Sequence, residues 1–182
     1  KIVMRIKNWP SFLMNWIGLK NTSETYIFRD GLKITTTDTI DTATIAVIFF
    51  KKDYGKPKNN SVIIDIGANI GAFTLYASKF KGTKIYSFEP LQKTYVILKK
   101  NISINNIQNV KLFNLGLCSK KEKRKLYHIG ASPFNTMYSE NENYTEISCS
   151  TLDHVFKKNN IKKCDLLKID CEGAEYEIFY ST

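Results

Sequence analysis

The sequence predicts an α/β fold: a mostly parallel sheet with helices on both faces, preceded by an α+β extension at the N-terminus. Three observations carry this. From Ser61 onward, short apolar runs alternate with longer helical patterns, and that alternation builds right-handed βαβ units on a parallel sheet. The first of those runs, Val62-Ile-Ile-Asp-Ile66, is almost continuously β-branched, as a strand covered on both faces must be. Residues 1–60 read differently, as helix, hairpin and helix. The boundaries are therefore an extension at 1–60 and a core at 61–182.

Each element has its own warrant. In the extension, Pro10 suits a first helical turn, Phe12, Leu13, Trp16 and Ile17 share one helical face, and Gly18 is the stop. Thr25–Arg29 and Leu32–Thr36 flank Asp30-Gly31, a pair that supplies the positive φ angles of a primed hairpin turn. Asp38 caps a helix running through Ile45, Ile48 and Phe49 to Lys52, and Lys56–Asn60 is a linker. In the core, strands are expected at 62–66, 84–88, 110–114 and 165–169, with helices at 73–80, 91–101 and 151–158. The polar stretch 119–150 is an excursion with short strands at 125–129 and 146–150. The last residues, Glu175 to Thr182, read as the opening of a helix, and the chain starts on Lys1 rather than Met. A C-terminally shortened fragment is the expectation. It would leave the strand before Asp170 at a sheet edge.

Composition bounds the function. The 182 residues are 43% hydrophobic with a net charge of +10, a globular composition that excludes disordered and collagen-like chains. No apolar run approaches the roughly 20 residues of a membrane span. The charge invites nucleic acid, but 24 of the 27 basic residues are Lys and three are Arg, whereas bidentate phosphate and base recognition favours Arg. The dense run Ser119–Lys125 reads as a solvated hairpin face, so nucleic acid is disfavoured as a partner. Cys118, Cys149, Cys164 and Cys171 lack metal-ligand spacing. They read as buried, reduced thiols in a cytoplasmic protein, and no metal site is expected.

Three motifs carry chemistry. Asp65-Ile-Gly67-Ala-Asn69-Ile-Gly71 follows the first core strand, where open α/β sheets bind ligands. Its glycines let a ligand approach the backbone and its helix start offers free amides. The spacing is not G-x-G-x-x-G, which excludes a nicotinamide-dependent dehydrogenase. An acid at 65 repels a pyrophosphate and suits an amino group. Phe88-Glu89-Pro90 ends the next strand, and a carboxylate there accepts both hydroxyls of a ribose. Lys168-Ile-Asp170-Cys-Glu172-Gly-Ala-Glu175 ends the fourth strand. Carboxylates packed so closely need solvent, a cation or a ligand. They suit a cationic cofactor end or a general base.

Together these motifs resemble the FkbM-type family of S-adenosylmethionine-dependent methyltransferases. Asn8-Trp-Pro, Arg29-Asp-Gly-Leu-Lys, Thr44-Ile, Asp53-Tyr54 and Thr151-Leu-Asp153 extend the resemblance over nearly the whole chain. It implies a Rossmann-like sheet that binds S-adenosylmethionine. Asp65, Gly67, Asn69 and Gly71 would line its methionine part, Glu89 the ribose, Leu117 and Cys118 the adenine, and Asp170 the methyl end. It further implies O-methylation of a hydroxyl on a sugar, glycan or small metabolite. Asp170 and Glu172 are the catalytic candidates, with His154 a third possible base. The rivals are an RNA-binding protein or nucleic-acid methyltransferase, and a catalytically incomplete cofactor-binding fragment.

Overall fold

A computed structural model describes residues 2–128, 135–136, 143–171 and 175–180. The extension comprises α1 (Ile2–Arg5), α2 (Trp9–Trp16), the hairpin β1 (Thr25–Ile27) and β2 (Lys33–Thr35), and α3 (Thr39–Ala46). Asp38 caps α3 by accepting from the amides of Ile40 and Asp41 at 2.9 and 3.0 Å. The helix then widens into a π-helical turn at Val47–Lys51 and stops at Lys52, whose φ is 65°.

The hairpin forms where expected, by a different turn. Only Gly31 has positive φ, 93°, so the primed geometry is not adopted. Gly31 N–H instead closes on the Phe28 carbonyl at 3.0 Å and Phe28 N–H on the Leu32 carbonyl at 2.7 Å. This is the longer hairpin loop in which one glycine in the left-handed region supplies the reversal.

The main sheet has the order β10-β3-β4-β5, all parallel, from Leu166–Ile169, Val62–Ile66, Lys84–Phe88 and Val110–Phe113. Helices α4 (Ala72–Ser78) and α5 (Gln92–Ser103) follow β3 and β4, and α6 (Leu152–Asn159) and α7 (Glu175–Tyr180) flank β10. Successive β3 residues point to opposite sides. Ile63 packs into a core with Phe73, Leu98 and Ile102; Ile64 and Ile66 pack into another with Val155 and Ile178. Helices therefore cover both faces, and the fold is the Rossmann-like α/β class the sequence predicts. Among the described residues β10 is an edge strand.

The extension shares the first of these cores. Ile6, Phe12, Tyr26, Ile34, Ile45 and Phe49 are contiguous with Phe73 and Leu75 of α4. Buried Asn101 of α5 adds polar stitches. It accepts from Thr35 N–H at 2.8 Å and donates to the carbonyls of Thr35 and Ile70, both at 2.9 Å. One side chain thus ties the hairpin edge to the glycine loop.

The excursion forms a second sheet, β6-β9-β7-β8 (Gly116–Leu117, Tyr144–Ser150, Glu122–His128 and Asn135–Thr136). Its basic run is paired rather than loose: Lys123 meets Glu146 at 2.7 Å, and Arg124 turns inward to Glu177. Cys118, Cys149, Cys164 and Cys171 are present as thiols. Cys118 and Cys149 are buried, but Cys164 is exposed and Cys171 half-buried, contrary to expectation. Cys164 lies in the turn before β10, outside the strand's covered span.

Candidate active site

Strand register assembles the site. Ile169, Ile66, Phe88 and Phe113 are aligned across the sheet, so the residues that follow leave one edge side by side. Those residues include Asp170, Gly67 and Glu89, one from each of the three motifs. They meet at a cleft of about 360 Å³ whose walls include Gly67, Asn69, Glu89, Leu117, Lys168 and Asp170.

The glycine loop fits its place because nothing larger would. Gly67 has φ 71°, and a Cβ there would lie 1.9 Å from the Asp170 carbonyl oxygen. Gly71, at φ 89°, is pressed against Leu98 of α5. Asn69, also left-handed at φ 51°, turns its amide to Glu89.

Glu89 is a buried carboxylate, 6% exposed. Its Oε2 accepts from Asn69 N–H and its Oε1 from Leu91 N–H, both at 2.9 Å. A carboxylate oxygen has two acceptor positions, so each keeps one for a ligand. Burial pushes the Glu89 carboxyl up to about 7, against the pull of the two amides. A ligand donating two hydroxyl hydrogens would favour the charged form.

Beneath the loop lies an ionic cluster. Asp65 is fully buried and does not line the cleft. Thr74 donates to its Oδ2 at 2.6 Å and lies 2.8 Å from Ser87 Oγ, while Lys168 Nζ stands 3.3 Å from its Oδ1. Lys168 Nζ also donates to the Gly67 carbonyl at 2.6 Å and reaches Asp170 Oδ2 at 3.8 Å. Tyr54 donates its hydroxyl to that same Oδ2 at 2.7 Å. Its phenol is held well above its ordinary range, by burial first and the Asp170 contact next.

Of the sequence-derived residues, Gly67, Asn69, Glu89, Leu117 and Asp170 reach the cleft wall. Asp65 and Gly71 stand behind it, and Cys118 packs instead with Leu126, Ile147 and Cys149. Asp65 therefore acts on the cleft through Lys168 and the loop. Glu172 lies outside the described residues, as do residues 129–134 and 137–142 of the excursion. His154 is exposed on the first turn of α6 and is not part of the wall.

Sequence reading missed Lys168 as a site residue, together with Thr37, Asp38 and Thr44 of the extension, which form the opposite wall. A lysine inside an otherwise apolar buried strand was the available signal. No pattern in the extension showed that α3 would face the glycine loop.

The model for the methyltransferase FkbM domain matches residues 65–181. The chain belongs to this family. Methyltransferase 1 of Beauveria bassiana (strain ARSEF 2860) is 28% identical over 143 residues, which are 66% of this chain and 57% of that protein. Methyltransferase sdnD of Sordaria araneosa is 29% identical over 160 residues, 69% of this chain and 62% of that protein. The chain thus spans about three fifths of these curated relatives. The crystal structure of M. jannaschii TYW2 in complex with AdoMet is 24% identical, with a TM-score of 0.39 over 52% of this chain and 43% of that one. The FkbM match begins at Asp65, so the α3 wall and Tyr54 come from chain outside the matched domain. Among the described residues no cluster of His, Cys, Asp or Glu could hold a metal ion.

Proposed function

We propose that this FkbM-family chain binds S-adenosylmethionine and transfers a methyl group to a hydroxyl on a sugar or other small metabolite. The observation that carries the reading is Glu89: a buried carboxylate at a strand end, held by two amides and left with one free acceptor position per oxygen. That is the recognition chemistry of a vicinal diol. Its neighbours fit the rest of the molecule. Leu115, Gly116 and Leu117 offer an apolar slot for the adenine, and Gly67 to Asn69 offer backbone to the methionine part.

When bound, the sulfonium supplies an already activated methyl group, so the protein's task is chiefly to hold an acceptor oxygen in line. Asp170 is suited to receive the acceptor's proton. Its side chain is 51% exposed, faces the cleft and is oriented by Tyr54. Lys168 keeps that carboxylate near the loop without burying it. Thr37, Asp38 and Thr44 give the facing wall hydroxyls and a carboxylate, groups that pair with a hydroxyl-bearing acceptor.

Calorimetry with S-adenosylmethionine tests the cofactor assignment. Wild type should bind, Glu89→Ala should bind at least about tenfold more weakly, a loss of ~1.4 kcal/mol or more, and Asp170→Asn should keep most of the affinity while losing methyl transfer. Equal heats from wild type and Glu89→Ala would sink it. Mass spectrometry of products from a panel of saccharides and small alcohols tests the acceptor class. Methylation on nitrogen or carbon, or on added RNA, would replace the hydroxyl reading.

A further inference from the structure

Most of the apolar side chains of helix α2 lie on its outer face. Its buried face carries Phe12 together with polar residues: Asn15 is fully buried and donates to the Tyr26 hydroxyl at 2.7 Å, and Ser11 is hydrogen-bonded to Glu24. Its solvent face carries Pro10, Leu13, Met14, Trp16 and, at the C-cap, Ile17, with no charge among them. Leu13, Met14, Trp16 and Ile17 are 36, 44, 45 and 56% exposed. A surface helix of a globular protein is ordinarily arranged the other way. Val3 and Met4 of α1, and Leu19 beyond α2, continue the patch. A groove of about 460 Å³ runs beside it, walled by Ile2, Val3, Trp9, Trp16 and Phe50.

The rim of this face is basic. Lys7 is exposed just before α2, Lys51 lies on the groove wall, and Lys52 is exposed next to it. Lys20 folds back at the other end, its amide on the Met14 carbonyl at 3.1 Å. The acidic residues nearby are Glu24, which lies 3.5 Å from Lys20, and Asp53. Two copies meeting through this face would bring their lysines together, in a chain already at +10. A negatively charged surface would be attracted instead. Trp9 and Trp16 mark the two ends of α2, and indoles favour the boundary between hydrocarbon and headgroups.

We propose that the α1–α2 face docks on an anionic phospholipid bilayer, with α2 lying in the plane of the interface. This is surface attachment, and no helix among the described residues is long and apolar enough to cross a membrane. The acyl boundary takes Leu13, Trp16 and Ile17, and the lysine rim takes the headgroups.

Cosedimentation of the whole chain with two vesicle types is the test. Vesicles of phosphatidylcholine mixed with phosphatidylserine should bind it at least about tenfold more strongly than phosphatidylcholine alone, the preference shrinking as salt rises. Leu13→Glu/Ile17→Glu should lose that binding, with circular dichroism and Tm unchanged because both sites are exposed. Met14→Ser/Trp16→Ser is a milder pair that should weaken it with no added charge, and Lys7→Glu/Lys51→Glu should abolish the lipid preference. Three results would overturn the proposal: no binding to anionic vesicles, binding unchanged in the Leu13/Ile17 variant, or a lipid-free dimer in sedimentation equilibrium that the same variant dissociates.

Discussion

Lys168 and Asp65 are cross-strand neighbours on β10 and β3, and the Lys168 ammonium lies 3.3 Å from the Asp65 carboxylate with almost no solvent between them. The lysine side chain is 6% exposed and the aspartate not at all. The same ammonium donates to the carbonyls of Ile66 and Gly67, so a charge pair under the sheet edge also holds the loop that lines the cleft.

Removing one partner leaves the other charge buried alone. Lys168→Met should therefore cost about 3–5 kcal/mol in denaturant unfolding. Lys168→Met combined with Asp65→Asn should recover part of that, with a coupling of about 1–3 kcal/mol in the double-mutant cycle. Additive losses would show that the pair does not act as one unit.

Two glycines separate backbone strain from steric conflict. Gly31 and Gly67 both have positive φ, but a Cβ at Gly31 meets nothing within 4 Å, while at Gly67 it meets the Asp170 carbonyl at 1.9 Å. Gly31→Ala should cost only the strain of the left-handed region, about 1–2 kcal/mol. Gly67→Ala should cost more and push β10 away from the loop. Titration with S-adenosylmethionine should then show a loss of affinity at Gly67→Ala and none at Gly31→Ala.

These contrasts mark what was legible in the sequence. The strands of the main sheet could be read because Val62–Ile66 and its counterparts bury residues on both faces, which leaves continuous apolar runs. Glu89, Gly67 and Asp170 could be placed together because each ends such a strand, and parallel register does the rest. The α3 wall could not be read, since the contact of Thr37 and Thr44 with the cleft depends on how the extension packs on α4 and α5. The outward-facing apolar residues of α2 escaped for a related reason. Its apolar stripe reads as a core face, yet Phe12 alone of that stripe is buried and the hydroxyl and amide of Ser11 and Asn15 turn inward.

Glu89 should set a pH dependence. Its folded-state value, near 7, lies above the ordinary 4.5, so the folded protein holds a proton there that the unfolded chain releases first. The associated stability is complete below about pH 4.5 and is lost as pH rises to about 7, a change of about 3 kcal/mol. Glu89→Gln should flatten that slope in urea titrations run across the window. Affinity for a diol-bearing ligand should move the opposite way in the wild type, rising through pH 7 as the carboxylate forms. An affinity that stays constant from pH 6 to pH 8 would argue against a diol on Glu89.

Glu177 titrates with the opposite sign. Arg124 grips its carboxylate with two guanidinium nitrogens at 2.5 and 2.6 Å, and Ser119 donates its amide at 3.0 Å. Led by the Arg124 hydrogen bonds, these hold the carboxyl down at about 2, below its ordinary 4.5. A lowered carboxylate contributes stability that is present above pH 4.5 and lost as pH falls toward 2. The side chain is only 17% exposed, so solvent screens the pair little, and Glu177→Gln should cost about 2 kcal/mol at neutral pH. The loss should be local as well as global. Glu177 joins α7 to β7 and to the turn after β6, so amide exchange in α7 should accelerate in the variant while β3 and β4 stay protected. Uniform acceleration across the sheet would mean that α7 and the core open together. In wild type the two carboxylates bracket the optimum: Glu177 erodes stability below pH 4.5 and Glu89 above it. The double variant Glu89→Gln/Glu177→Gln should therefore show a flatter stability profile from pH 3 to pH 7 than either single variant.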